Sequence, residues 1–239
     1  MNEIIEQIYT SGYVEDAQGN TYKHSTSSVT FEAGVLLYDF VRANKPEKTL
    51  EIGMAYGIST LFICQAHRDN GAGYHIAIDP FEEERWRSIG LLNIERANLK
   101  DLLRFYPAKS EEVLPQFCTQ NQRFDFIFID GSHLFDFALV DFFYADRLLN
   151  IGGHVAIDDL WIPGVRKVAS FVLQNKPYKL VRPPSKRTTP MWRRVVRTGR
   201  RIVQNPLGRD WSLKFVPENV ALFKKEAADS RGLQFHRPF

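Results

Sequence analysis

Five times between residues 48 and 159 the chain repeats one pattern: a short β-branched or aromatic run, a turn, then apolar residues at helical spacing. The runs fall at 49–52, 73–79, 103–108, 124–129 and 154–157. Ile58, Leu61, Phe62 and Ala66 mark the helix after the first run, and Phe135, Ala138, Leu139, Phe142 and Phe143 the helix after the fourth. Pro163 opens another, with Val165, Val168, Ala169, Val172 and Leu173 on its inward face. Strand–helix units in succession build a parallel sheet covered by helices on both faces. Such a sheet takes its ligands beyond the carboxyl ends of the strands. Glu51, Asp79, Asp130, Asp158 and Asp159 all stand at those ends. The expected site is therefore an acidic rim.

The stretch Leu50-Glu51-Ile52-Gly53-Met54-Ala55-Tyr56-Gly57-Ile58-Ser59 joins the first strand to its helix through a glycine-bearing turn. Backbone N–H groups and the positive helix end would face a ligand there. Glu51 suits an amino group or hydroxyls and would repel a pyrophosphate, and the G-x-G-x-x-G pattern of dinucleotide sites is absent. Asp79 can accept both hydroxyls of a ribose or can cap the next helix. Asp130, Asp158 and Asp159 repel one another unless a proton or cation joins them. A hard divalent ion such as Mg²⁺ suits oxygen ligands of this kind. The alternative is a helix cap from Asp159 and loop hydrogen bonding from Asp158. His133, behind Asp130, could be a general base, a metal ligand or a loop anchor.

Glu51-x-Gly53-x-x-x-Gly57-x-Ser59 resembles the first motif of class I S-adenosylmethionine-dependent methyltransferases. Asp79-Pro80, Lys109-Ser110, Asp130-Gly131-Ser132-His133 and Asp158-Asp159 follow in the order that family expects. The set is similar to metal-dependent O-methyltransferases of the catechol type and to a bacterial branch near the sugar-modifying enzymes. The resemblance covers roughly residues 30–182 and, more weakly, 219–225. It implies a Rossmann-like, doubly wound α/β fold: seven strands, mostly parallel, closed by an antiparallel hairpin from 178–181 and 219–223. It implies S-adenosylmethionine held by Glu51, Gly53, Met54, Ala55, Tyr56, Gly57, Ser59, Asp79, Pro80, Lys109, Ser110 and Asp130. It also implies Mg²⁺ or another divalent cation on Asp130, Asp158 and Asp159, with Asp130 and His133 as the catalytic pair. Two positions depart from the pattern. An Asp-Asn pair is usual where Asp158-Asp159 stands, and an acid is commoner where Lys109 stands.

One methyltransferase domain over 1–239 is expected: a cover segment (1–45), a cofactor-binding core (46–181), a basic amphipathic insert (182–218), and a last strand and tail (219–239). In the cover, Ile4, Ile5 and Ile8 mark a short helix and Ala33, Leu36, Leu37, Phe40 and Val41 a longer one. Tyr22 and His24 read as surface loop residues that, on the resemblance, could reach substrate. Residues 82–101 read as helical, with Glu82, Glu83, Glu84, Arg85 and Arg87 as a solvated face and Trp86 in the core. Ser110 reads as a helix N-cap. Cys64 and Cys118 read as two buried thiols.

The insert carries nine basic residues and no acid from Arg182 to Arg209, although the whole chain has a net charge of only +3. Its helical pattern would suit a lid, an acidic or phosphorylated acceptor, or peripheral contact with an anionic membrane through 190–205. The expected partner is a small-molecule or sugar acceptor, and a homo-oligomer is compatible with the sequence. Nucleic acid is disfavoured because no RNA-binding module is recognisable. An RNA-directed or non-catalytic member and a nicotinamide oxidoreductase are the alternatives, the second opposed by Glu51 and the missing third glycine. Acids at Glu3 and Glu6 and the lack of a 20-residue apolar run point to a cytoplasmic protein.

Overall fold

The computed structural model describes residues 2–181 and 219–235, residues 237–239, and the isolated positions 195, 196, 198, 199, 213 and 216. The basic insert thus lies almost wholly outside the described residues, as do the lid, acceptor and membrane expectations attached to it.

The chain opens with α1 (Glu3–Ser11), a two-stranded hairpin of β1 (Tyr13–Glu15) and β2 (Thr21–Lys23), and α2 (Phe31–Asn44). The repeated units follow as β3 (Lys48–Ile52), α3 (Ile58–Asn70), β4 (Tyr74–Ile78), α4 (Ile89–Arg96), β5 (Leu103–Tyr106) and α5 (Ser110–Thr119). Then come β6 (Phe124–Ile129), α6 (Phe135–Leu148), β7 (Leu149–Ile157), α7 (Pro163–Asn175), β8 (Tyr178–Val181) and β9 (Ala221–Lys225). The large sheet has seven strands in the order β5-β4-β3-β6-β7-β9-β8. All pairings from β5 to β7 are parallel, and β9 runs antiparallel to both β7 and β8. The fold expected from the sequence is the fold observed.

Each central strand is buried on both faces, so it splits its side chains between two cores. Leu50 and Ile52 of β3 join Ile127, Ile129, Leu114 and Phe142 on the face covered by α5, α6 and α7. Phe126, Phe128 and Ala77 join Leu37, Phe62 and Ile63 on the face covered by α2 and α3. Ile5 and Ile8 of α1 are buried on that second face, so the cover segment belongs to its core.

Several local readings change. The 82–101 stretch is helical only over Ile89–Arg96. Glu82 belongs to no solvated face, being 1% exposed; its Oε1 accepts the Leu91 N–H at 3.0 Å, and its Oε2 has no partner. On α6 the inward face is Ala138, Asp141, Phe142 and Ala145, whereas Phe135 and Phe143 are exposed. The tight α5–α6 packing needs the small and polar residues there, not the two phenylalanines. His24 is buried, and Tyr22 is half-buried and donates its hydroxyl to Asp16. Cys64 is buried as expected, and Cys118 only partly.

Burial pushes the Glu82 carboxyl from its ordinary 4.5 up to about 7. A folded-state value above the unfolded one means that the native state binds the extra proton. Its contribution is fully present below pH 4.5 and is lost as pH rises through about 7. Glu82→Gln keeps the acceptor for Leu91 and removes the titration. The variant is expected to lose on the order of 3 kcal/mol of the fall in stability between those limits. Urea unfolding at pH 5 and pH 8 checks this, and equal differences for both proteins would exclude it.

Candidate active site

The parallel ladder runs to the rim of the sheet. Gly53 N–H donates to Ile78 O, Asp130 N–H to Ile52 O, Asp158 N–H to Ile129 O and Asp79 N–H to Tyr106 O, at 2.9 to 3.2 Å. Sheet order β4-β3-β6-β7 therefore sets Asp79, Gly53, Asp130 and Asp158 side by side. Because β3 is followed by β4 on one side and flanked by β6 on the other, this is the topological switch point of the sheet.

Gly53 has φ +90°, and a Cβ built there would stand 2.2 Å from the Asp130 carbonyl oxygen. Only glycine lets the β3 turn lie against the β6 loop. Gly57 caps α3 at φ +71°, where a Cβ would meet Gly90 backbone at 2.9 Å. Ala55 between them sits at φ +46°, left-handed and strained for a residue with a side chain. Met54, Tyr56 and Ser59 turn inward and are buried, while Gly53 and Ala55 stay partly exposed toward the rim. Asp79, 4% exposed, holds the turn: its Oδ2 accepts the Met54 and Ala55 N–H groups at 3.0 and 2.9 Å. Its Oδ1 accepts from Phe81 at 2.8 Å, so it caps the loop after β4 as well. Pro80 and Lys109 are exposed.

Ser110 is not the cap of α5; Lys109 holds that position, and the Ser110 hydroxyl donates to Asp141 Oδ1 at 2.6 Å. Burial pushes Asp141 up to about 6.

At the ends of β6 and β7 the ligand atoms of Asp130, His133 and Asp159 lie within 4.8 Å of one another. His133 Nε2 is 3.0 Å from Asp159 Oδ2 and 3.9 Å from Asp130 Oδ1. The neighbouring carboxylates of Asp130 and Asp159 push His133 up to about 10. The ring is an imidazolium at neutral pH, so it must first lose its proton to serve as a base. Burial raises Asp130 to about 6. Burial, followed by the Asp130 charge, raises Asp158 well above the usual carboxylate range. Asp158 is buried, and its Oδ1 accepts the Asp159 N–H at 2.7 Å. The structure thus brings Asp130, His133 and Asp159 together, and Asp158 spends its Oδ1 on the Asp159 N–H. Asp159 itself sits at φ +55°. Two carboxylates and an imidazole fit a hard or borderline divalent cation.

Three contributors were not evident from the motifs. Trp161 Nε1–H donates to Asp159 Oδ1 at 2.7 Å. Thr60 and His75 both hydrogen-bond Glu51, which is 0% exposed rather than at the open rim. Polar residues inside strands that must be buried on both faces, Thr49, Glu51 and His75, were the available signal.

A doubly wound sheet, a glycine turn after β3 and an acid closing β4 define a Rossmann-like domain. Residues 50–160 match a family described as a methyltransferase domain. Three solved structures share the fold. They are cofactor-bound Rv0187 from MTB, the O-methyltransferase from Bacillus cereus in complex with SAH, and the O-methyltransferase TomG from Streptomyces achromogenes, involved in tomaymycin synthesis, in complex with SAM. The first is 14% identical over 94% of this chain and 88% of that chain, with a TM-score of 0.62. The second is 22% identical over 76% and 83%, with a TM-score of 0.59. The third is 17% identical over 76% and 82%, with a TM-score of 0.58. Among curated proteins, the uncharacterized protein R132 of Acanthamoeba polyphaga mimivirus is 29% identical over 119 residues, 44% of this chain and 53% of that protein. The chain spans about half the length of this curated relative. Over residues 50–160 the chain is similar to methyltransferase domains, and its fold is that of the solved O-methyltransferases.

Proposed function

We propose that the protein transfers the methyl group of S-adenosylmethionine to a hydroxyl of a small molecule, held at Asp130, His133 and Asp159. The observation that carries this reading is the meeting of that triad with the glycine turn across the Gly53–Asp130 contact. Asp79 would hold the ribose, and Gly53 and Glu51 the methionine end. Glu51 Oε1 is buried without a partner, and a cationic amine is the ligand group that would satisfy it.

Asp130, His133 and Asp159 would hold a divalent ion, which would supply Lewis acidity toward the acceptor hydroxyl. The chain's own part is placement. Trp161 fixes Asp159, Asp159 fixes His133, and Asp130 joins the acceptor side to the cofactor side. Lining up an oxygen with a methyl sulfonium supplies a large share of the rate, since the cofactor brings the reactive group. Without the ion His133 Nε2 keeps its proton toward Asp159, and binding the ion would require that proton to leave, so metal affinity is expected to rise with pH. Among the described residues no helix is long and apolar enough to cross a membrane.

Calorimetric titration of S-adenosylmethionine and S-adenosylhomocysteine into the metal-stripped and Mg²⁺-supplied protein tests both halves. Micromolar binding is expected, and Asp79→Ala is expected to weaken it at least tenfold, since that change removes the carboxylate and loosens the turn. Absence of binding by either ligand would end the methyltransferase reading. A melting temperature and a transfer rate indifferent to chelation would end the metal.

A further inference from the structure

Beneath the glycine turn lies a chain of buried polar side chains that the proposed reaction does not use directly. His67 of α3, Thr49 of β3, His75 of β4 and Glu51 of β3 are each 0% exposed. Thr49 Oγ1 lies 2.9 Å from His67 Nε2 and 2.8 Å from His75 Nδ1. His75 Nε2 lies 3.1 Å from Glu51 Oε2, which also accepts the Thr60 hydroxyl. His67 Nδ1 reaches the Ala72 carbonyl at 3.3 Å. Gly73, at φ +89°, makes room for this ring, because a Cβ there would stand 2.5 Å from His67 Nδ1.

Donor and acceptor counting constrains the protons. A carbonyl only accepts, so His67 Nδ1 carries a hydrogen. Burial pushes His67 down to about 4, so the ring is neutral and its Nε2 accepts. Thr49 has one hydroxyl hydrogen and lies within reach of that Nε2, of His75 Nδ1 and of the Tyr74 carbonyl at 3.3 Å. A carboxylate only accepts, so His75 Nε2 donates to Glu51. His75 is paired with Glu51 inside the sheet, Nε2 to Oε2 at 3.1 Å. Such a pair is weak as a source of stability, because desolvation offsets the attraction and apolar replacements often do as well. Its effect is directional. Two donors fix Oε2, which leaves Oε1 without a partner two residues before Gly53. The Glu51 charge is felt at Asp130, where it adds to the upward push on that carboxyl.

We propose that Thr49 and His75 are positioning residues that hold the Glu51 carboxylate so that its free oxygen receives the ammonium group of the cofactor's methionine end. This rests on the methyltransferase reading and names what orients its amine subsite.

The test compares two ligands in the full chain: S-adenosylhomocysteine, which has the ammonium group, and 5′-methylthioadenosine, which has the same nucleoside and lacks it. Thr49→Val removes the hydroxyl at almost constant volume. It is expected to weaken S-adenosylhomocysteine about tenfold while 5′-methylthioadenosine stays within about twofold, and Thr49→Ser is expected to restore the first. Unchanged affinity for both ligands would overturn the proposal. Equal losses for both would do so too, since they mark general damage. Wild-type protein that binds neither ligand would remove the parent reading, an outcome that no variant is needed to see. Should Thr49→Val fail to fold, nitrogen-15 spectra of the wild-type histidines decide. Hydrogens on His75 Nε2 and on His67 Nδ1 are expected, and a His75 Nε2 without one overturns the assignment.

Discussion

Gly53→Ala is expected to abolish S-adenosylhomocysteine binding and to lower the melting temperature by roughly 10 °C. The added Cβ would lie 2.2 Å from the Asp130 carbonyl oxygen and 2.9 Å from Gly131 Cα. Both opposing atoms are backbone, so neither can rotate aside, and the β3 and β6 ends must part. Left-handed strain adds about 1–2 kcal/mol for a residue with a side chain. Gly12→Ala is the control, because Gly12 has φ +81° with no atom within 4 Å of its built Cβ. It should show the strain alone, and its ligand binding should match wild type. Equal melting shifts in the two variants would mean that the approach of the two strand ends is not what Gly53 serves.

Asp159→Asn is expected to cut methyl transfer about 100-fold or more while S-adenosylhomocysteine affinity stays within about threefold. Asparagine tolerates the left-handed backbone at φ +55° and can still accept from Trp161, so what changes is the charge beside His133. Two readouts follow. Turnover is measured with an acceptor drawn from a panel of hydroxylated aromatics and sugars. His133 is followed by NMR titration, which needs no acceptor. Asp130 and Asp159 hold the ring up to about 10, so the wild-type midpoint is expected there and the variant midpoint below it. The imidazolium is retained below the midpoint and lost above it, so the variant reaches neutral imidazole at lower pH. An unchanged midpoint would exclude the Asp159–His133 pairing, and an unchanged turnover would remove Asp159 from the reaction.

Much of the fold could be read from periodicity. Residues 126–129 alternate between two cores as a strand buried on both faces must, and the helices after it follow the 3.6-residue repeat. Periodicity places a residue on a face, but it does not tell which face is covered. Phe135 and Phe143 share the spacing of Ala138 and Phe142 and yet are exposed, because α5 and α7 close only one side of α6. Glu82 shows the reverse error: a run of charges suggests solvent, but the turn ahead of α4 folds this carboxyl under Gly90.

The sequence by itself determined the order of the strand–helix units, the glycine turn and the carboxylates at strand ends. These are properties of local spacing, and local sterics and periodicity suffice for them. The tertiary structure decided which of those carboxylates meet. Strand order brings β6 beside β7 and sets Asp130, His133 and Asp159 together. It also decided that Glu51 faces His75 rather than solvent, because β3 and β4 pair in a register that no local pattern encodes. Charges acquire their protonation from neighbours distant in sequence, and those neighbours exist only once the sheet has closed.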